Sequence, residues 1–196
     1  MLGQMKSMRL GYTNRGFTLL EALVVVVILG VLMAVAVPSI SDWIIIQRVK
    51  ASASELASDI KFSRGEAVKR NVRVAMTFRS AAGSQSCYTA HTQGSNKACN
   101  CLLGAGESCN IPVVGYLLST EELKTVSLPA STKVVMSVSN NFAFLAPNGL
   151  MEASSGATID FNGGNSRLLR VVINGPGRPS ICAPIGSRIA GYTSCV

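Results

Sequence analysis

The chain has 196 residues, 18 Lys and Arg against 10 Asp and Glu, a formal charge of +8, and 48% hydrophobic but only 6% aromatic content. That length excludes two large domains and leaves room for one globular domain plus a helix. The low aromatic content points to a β-rich domain with small side chains, and the mild basic excess fits an anionic partner and plain solubility alike.

The first element is an apolar run. Between Glu21 and Asp42 lie twenty residues without a charge, enough at 1.5 Å per residue to cross a hydrocarbon core of roughly 30 Å. Lys6, Arg9 and Arg15 precede it, which keeps the N-terminus cytoplasmic and sends the remainder outward. A secretory signal has a shorter apolar core, with its cleavage site after that core. Here the only plausible processing point lies before the run, so cleavage leaves the helix on the mature chain; a cut after Gly16 lowers the charge to +5. Glu21 stands at the lip of the run. An ionisable residue there is a functional candidate whose partner must be named: a positive amine at Phe17 of the same or a neighbouring chain. The alternative is an inert place in the headgroup layer.

Gly16-Phe17-Thr18-Leu19-Leu20-Glu21 resembles the cleavage and methylation site of type IV pilins and of the pseudopilins of type II secretion. The resemblance implies a leader, residues 1–16, removed by a prepilin peptidase. It also implies an N-methylated Phe17 and an assembly role for Glu21, with Gly30 and Pro38 where pilins loosen the helix.

Beyond Pro38 the helix is expected to continue to near Asn71. Val49, Ala53, Leu56, Ala57, Ile60, Ala67 and Val68 recur at spacings of three and four. The opposite face, with Arg48, Lys50, Glu55, Asp59, Lys61, Arg64, Glu66, Lys69 and Arg70, reads as a solvated surface. Pro38 removes one helical hydrogen bond and permits a bend. Strands are predicted over Val74–Phe78, Cys87–His91, Val113–Leu118, Val134–Val138, Phe142–Leu145, Thr158–Phe161 and Leu168–Ile173, with a last one running through Ile181. Residues 93–112 read as a cross-linked loop. The expected class is α+β: a long N-terminal helix, membrane-spanning in its first half, packed on a mostly antiparallel β domain and pilin-like. The divisions are 17–47 for the membrane and assembly half of the helix and 48–196 for the periplasmic part.

Cys87, Cys99, Cys101, Cys109, Cys182 and Cys195 all lie beyond the apolar run, so disulfides formed in the periplasm are expected. Of the fifteen possible pairings, Cys182 with Cys195 staples the tail, leaving two bridges among the other four. Cys87, His91, Cys99 and Cys101 invite a zinc reading, but Cys-Asn-Cys departs from the usual ligand spacing and the exported location favours oxidation. No catalytic constellation, cofactor site or metal site is expected; the chain reads as the substrate of an enzyme and not as one.

The tail, Gly177-Arg178 then Cys182, Gly191-Tyr192 and Cys195, resembles the C-terminus of the FimT/FimU/GspH group of minor pilins and pseudopilins, as does Ser63–Arg70. DNA-binding members carry Gly-Arg-x-Arg there; this chain has Gly177-Arg178-Pro179-Ser180, without the second arginine. Arg167, Arg170, Arg178 and Arg188 make the end of the chain locally basic and are the candidate DNA contacts. Three functions follow: a minor type IV pilin at the tip or in initiation, partnered by other pilins, the peptidase and the inner membrane; a type II secretion pseudopilin; or a DNA-capturing pilin for uptake.

Overall fold

The computed structural model describes residues 16–80, 85–92, 99–109, 120–152 and 156–195, and within the helix it leaves the side chains of residues 35–39 aside. The chain divides into two units, Met1–Ser41 and Asp42–Val196. One helix, α1 (Leu19–Arg70), passes through the division, and through the positions of Gly30 and Pro38.

In the first unit the aliphatic side chains from Leu19 to Met33 are exposed. Among the described residues no helix is long and apolar enough to cross a membrane. The uncharged run contains Val35–Ser39, whose side chains lie outside that description, so the membrane-spanning reading rests on the sequence.

In the second unit α1 buries the stripe Ile45, Val49, Ala53, Leu56, Ile60 and Ala67, the spacing that keeps one face of a 3.6-residue helix inward. It ends where Asn71 takes a left-handed φ of 53°. There the Val72 N–H donates to Ala67 O and the Asn71 N–H to Val68 O, a Schellman closure satisfying the last carbonyls. Lys69 and Arg70 sit in that last turn, the sign that suits a helix C-terminus.

Among the described residues nine strands follow: β1 (Val74–Arg79), β2 (Ser86–Thr92), β3 (Glu122–Leu128), β4 (Val135–Val138), β5 (Phe142–Leu145), β6 (Leu150–Met151), β7 (Ala157–Asn162), β8 (Leu168–Ile173) and β9 (Pro179–Cys182). They form a five-stranded sheet in the order β3-β2-β1-β5-β6 and a four-stranded sheet in the order β4-β7-β8-β9, every pairing antiparallel. Alternate residues Val74, Met76 and Phe78 of β1, and Ile159 and Phe161 of β7, enter one core with the helix stripe. The class is therefore the α+β one read from the sequence, a long helix followed by antiparallel sheets.

Two strands depart from that reading. β3 is a half-buried edge strand, and its apolar residues Leu123, Val126 and Leu128 break the two-residue alternation. β6 is only two residues long and follows directly on the Asn148-Gly149 turn. The expected strand Val113–Leu118 lies outside the described residues. So do residues 93–98 and 110–112 of the expected 93–112 loop; its described part, 99–109, carries a short 3₁₀ turn at Cys101–Leu103.

Two acids assigned to the solvated face of α1 are instead covered. Asp59 and Glu66 are both buried. The Tyr88 hydroxyl donates to Asp59 Oδ2 at 2.7 Å and Lys124 Nζ reaches Oδ1 at 2.7 Å, so β2 and β3 close over the carboxylate. Burial and the bond to Asp59 both push the Tyr88 phenol far above its ordinary range.

Candidate functional site: the helix head and the basic groove

At the head of α1 the sequence sets up its own cap. The Glu21 N–H donates to Thr18 Oγ1 at 3.2 Å and the Ala22 N–H to Thr18 O at 3.2 Å, so Thr18 serves as N-cap with Glu21 at the third helical position. A carboxylate there also complements the helix dipole. Among the described residues no cation lies within ion-pair distance of the Glu21 carboxylate, and Phe17 is 74% exposed. A Cβ built on Gly16 meets nothing within 4 Å. Among the described residues nothing therefore requires glycine at position 16.

The four C-terminal arginines do not form one patch. Arg167 is buried: its Nη1 donates to Asp42 Oδ1 at 2.6 Å, and its Nε to the carbonyls of Gly163 and Gly164. Arg170 is forked onto Asp160, at 2.6 and 2.9 Å; that bond chiefly raises its pKa, against the opposing effect of partial burial. Both guanidiniums are engaged within the fold, Arg167 buried and Arg170 partly exposed. Arg178 and Arg188 are exposed.

Arg178 borders a groove of about 620 Å³ together with Lys61, Arg64, Val68, Lys69 and Pro179. Two glycines shape it. At Gly177 the φ of +75° and a would-be Cβ only 2.8 Å from Phe144 Cε1 both demand glycine. At Gly149 (φ +63°) a Cβ would lie 2.9 Å from Val68 Cγ2. Arg64 Nε donates to Gly149 O at 3.0 Å, so the turn after β5 is tied to α1. The turn before β9 packs on Phe144 and places Arg178 at the groove's edge. Among the described residues Lys61, Arg64 and Arg178 have no acidic partner, while Lys69 has Glu66 at 3.6 Å. The groove thus has an apolar floor and a cationic rim. Of the helix contribution to that rim, Arg64 and Lys69 lie in the Ser63–Arg70 stretch that carried the family resemblance, while Lys61 carried no signal beyond a general run of charges.

The cysteines form Cys87–Cys101, Cys99–Cys109 and Cys182–Cys195. His91 lies with Cys99 and Cys109, their ligand atoms within 4.8 Å of one another. Those two sulfurs are bonded to each other and offer no thiolate to a metal.

A family model described as Type II transport protein GspH matches residues 52–177, and one described as Prokaryotic N-terminal methylation motif matches residues 12–37. No curated protein matches the chain. Two crystal structures of the type IV minor pilin FimU of Pseudomonas aeruginosa are similar at 13% identity. One has a TM-score of 0.40 and covers 67% of this chain and 90% of that one. The other has a TM-score of 0.41 and covers 74% and 95%. With the Type II transport protein GspH model spanning well over half of its length, the chain belongs to the GspH family.

Proposed function

We propose that this protein is a minor type IV pilin, a structural subunit held in the inner membrane by the first part of α1. Its C-terminal domain is periplasmic, and from there it is assembled at the pilus tip or in an initiation complex. The observation behind this is the ordered stretch Gly16-Phe17 to Glu21 at the head of a helix whose aliphatic side chains from Leu19 to Met33 are exposed. The peptidase cuts after Gly16, where this fold places no demand for glycine, and Phe17 becomes the methylated terminus. Glu21, its N–H held by Thr18, offers its carboxylate to the Phe17 amine of a neighbouring subunit. A charge buried in a filament core without that partner costs several kcal/mol, so the pair rejects misaligned subunits. Gly30 and Pro38 lower the helical rigidity of the packing segment.

Mass spectrometry from the native host should find a chain beginning at N-methylated Phe17, and Glu21→Gln should insert but fail to assemble. A native N-terminus still at Met1, or normal assembly of Glu21→Gln, refutes the account. Deleting the gene and scoring twitching, protein secretion and DNA uptake together separates the pilus from a secretion pseudopilus.

The cationic rim favours a second reading, DNA capture, now resting on Arg178 with Lys61, Arg64 and Lys69, and on Arg188 nearer the C-terminus. Such contact is sequence-independent and weakens by about 0.9 log units per log unit of salt for each phosphate neutralised on duplex. Gel shifts at low and physiological salt with Arg178→Ala and Lys61→Ala test it; unchanged binding in both variants, or none by the parent, rules it out.

A further inference from the structure

The end of the packed unit at which the chain arrives from the uncharged run carries a surface of its own. Asp42 is the first residue of that unit, and several later segments meet around it. β7 and β8 are joined there by the turn 163–167, whose Arg167 holds the Asp42 carboxylate. β9 runs back toward the same end, with Cys182 opposite Arg170. The chain beyond it then ties into that turn: Ser187 Oγ donates to Leu168 O at 2.6 Å and the Arg188 N–H to Ser166 O at 2.8 Å. β4 begins there too, Val135 standing opposite Asn162. The 3₁₀ turn before it, Ala130–Thr132, presents the Ser131 and Thr132 carbonyls to Arg48 Nη1.

Among the described residues of the unit, the two most exposed large apolar side chains both belong to this end: Ile185 at 95% and Trp43 at 61%. Trp43 follows directly on Asp42. Ile185 stands at the tip of a turn closed by the Ser187 N–H on Pro184 O, with Gly186 at a φ of 84°, the place of glycine in a type II turn. A single exposed apolar residue is ordinary. Here the two barest ones share an end with three exposed cations, Arg48, Lys133 and Arg188. Among the described residues none of the three has an acidic partner. The acids nearby are already taken, Asp42 by Arg167 and Asp160 by Arg170.

That combination suits one kind of partner. Tryptophan settles at the headgroup level of a bilayer, a short apolar tip enters the headgroup boundary, and the cations around it meet anionic lipid. A nucleic acid duplex would satisfy the cations and leave Ile185 and Trp43 in water. The uncharged run ends at the residue before Asp42, so a bilayer holding that run begins within two residues of Trp43. Lys61, on the basic groove, lies about 28 Å further along α1 at 1.5 Å per residue, so the two surfaces are separate.

We propose that this end of the unit docks on an anionic bilayer, with Trp43 and the Ile185 turn in the headgroup layer and Arg48, Lys133 and Arg188 on lipid phosphates. The proposal rests on the reading that the first part of α1 lies in the inner membrane. A subunit waiting for assembly is then seated on the lipid surface, and entering a filament means giving up those headgroup contacts.

The test uses the full chain in nanodiscs containing phosphatidylglycerol, with and without lipids that bear a nitroxide on the headgroup. NMR follows the indole N–H of Trp43, the chain's single tryptophan, the Ile185 methyls and, beside the basic groove, the Leu150 methyls. The nitroxide should broaden the Trp43 and Ile185 signals and leave Leu150 sharp. Exchanging phosphatidylglycerol for phosphatidylcholine should restore most of the Ile185 intensity, as should Arg48→Gln, Lys133→Gln and Arg188→Gln together. Each cation near an anionic surface favours contact about fivefold. Arg178→Gln should change nothing. The lipid exchange needs no substitution, so it decides the matter if the triple variant misfolds. If Trp43 is not broadened, the helix is not in the bilayer and both readings fall. If Trp43 broadens while Ile185 stays as sharp as Leu150, the anchor stands and the docking is overturned. Ile185 broadening that persists undiminished in phosphatidylcholine overturns the choice of anionic lipid as partner.

Discussion

Removing the Asp42 carboxylate tests how the packed unit begins. Asp42 is the first residue of that unit, and its carboxylate faces the Arg167 guanidinium at 2.6 Å; the side chains are 54% and 8% exposed respectively. Breaking a fully buried pair costs about 3–5 kcal/mol, whereas an exposed pair contributes about 0.2–1 kcal/mol. Here the cation is buried and the anion is half in water. Arg167 keeps its carbonyl partners at Gly163 and Gly164, so Asp42→Ala should cost about 2 kcal/mol, between those limits. For a domain of this size that lowers Tm by about 4–8 °C. Urea unfolding of a protein begun at Asp42, followed by circular dichroism, should show a lower midpoint at unchanged slope. Adding Arg167→Met should restore much of the loss, because the stranded charge is then gone. A protein begun at Arg48 also lacks Ile45, only 9% exposed in the full chain, and should lose about 4 kcal/mol in all. If Asp42→Ala stays within about 0.5 kcal/mol of the parent, the contact is an ordinary surface pair and Arg167 does not anchor the start of the domain.

Three other outcomes are expected. Replacing Cys182 and Cys195 by serine opens a bridge of sequence separation 13 and should cost roughly 3 kcal/mol in chemical unfolding, by loop-closure entropy; a change under about 1 kcal/mol contradicts that. Gly177→Ala sets a methyl against the buried Phe144 ring at positive φ and should cost about 2–4 kcal/mol by calorimetry; wild-type stability means that the turn moves freely. The third concerns acid. His91 is the chain's single histidine, and burial holds its folded pKa below the ordinary value. The unfolded chain therefore binds a proton that the folded one refuses. Stability should be level above about pH 7 and fall below about pH 6.5, by at most about 1.4 kcal/mol per pH unit. His91→Gln should flatten that slope between pH 5 and 6.5, and an unchanged slope assigns it elsewhere.

Much of this architecture is legible in the chain because single periodicities control it. The helix stripe and the alternation of Val74, Met76 and Phe78 each follow from one repeating period, and the Gly16–Glu21 stretch is local by nature. Asp42 joins the packed unit through Arg167, 125 positions away, a long-range contact that no local period announces. Asp59 and Glu66 read as solvated because a helical period shows which residues share a face, not how far a neighbouring sheet edge reaches over it. β3 supplies that edge, and its Lys124 covers Asp59. β3 itself was hidden, since a half-exposed edge strand carries charges where a central strand shows alternation. The groove joins α1 to two turns, at Gly149 and Gly177, and only folding brings those three together.

The three disulfides all close within the β part of the chain, since α1 contains no cysteine. If tension in a filament enters through the helix, no covalent cross-link transmits it to the sheets. The load crosses by the interlocked stripe from Ile45 to Ala67, and by the polar ties Arg48 to Ser131 and Thr132, Asp59 to Tyr88 and Lys124, and Arg64 to Gly149. These contacts are spread along about six helical turns, so a pull along the axis meets them in shear and all at once, rather than peeling them one by one. The force needed to draw the helix out of its domain should therefore be the same in reducing and oxidising media, provided the domain stays folded. What the bridges protect is the β part, exposed to solvent and proteases after export, and not the mechanical joint.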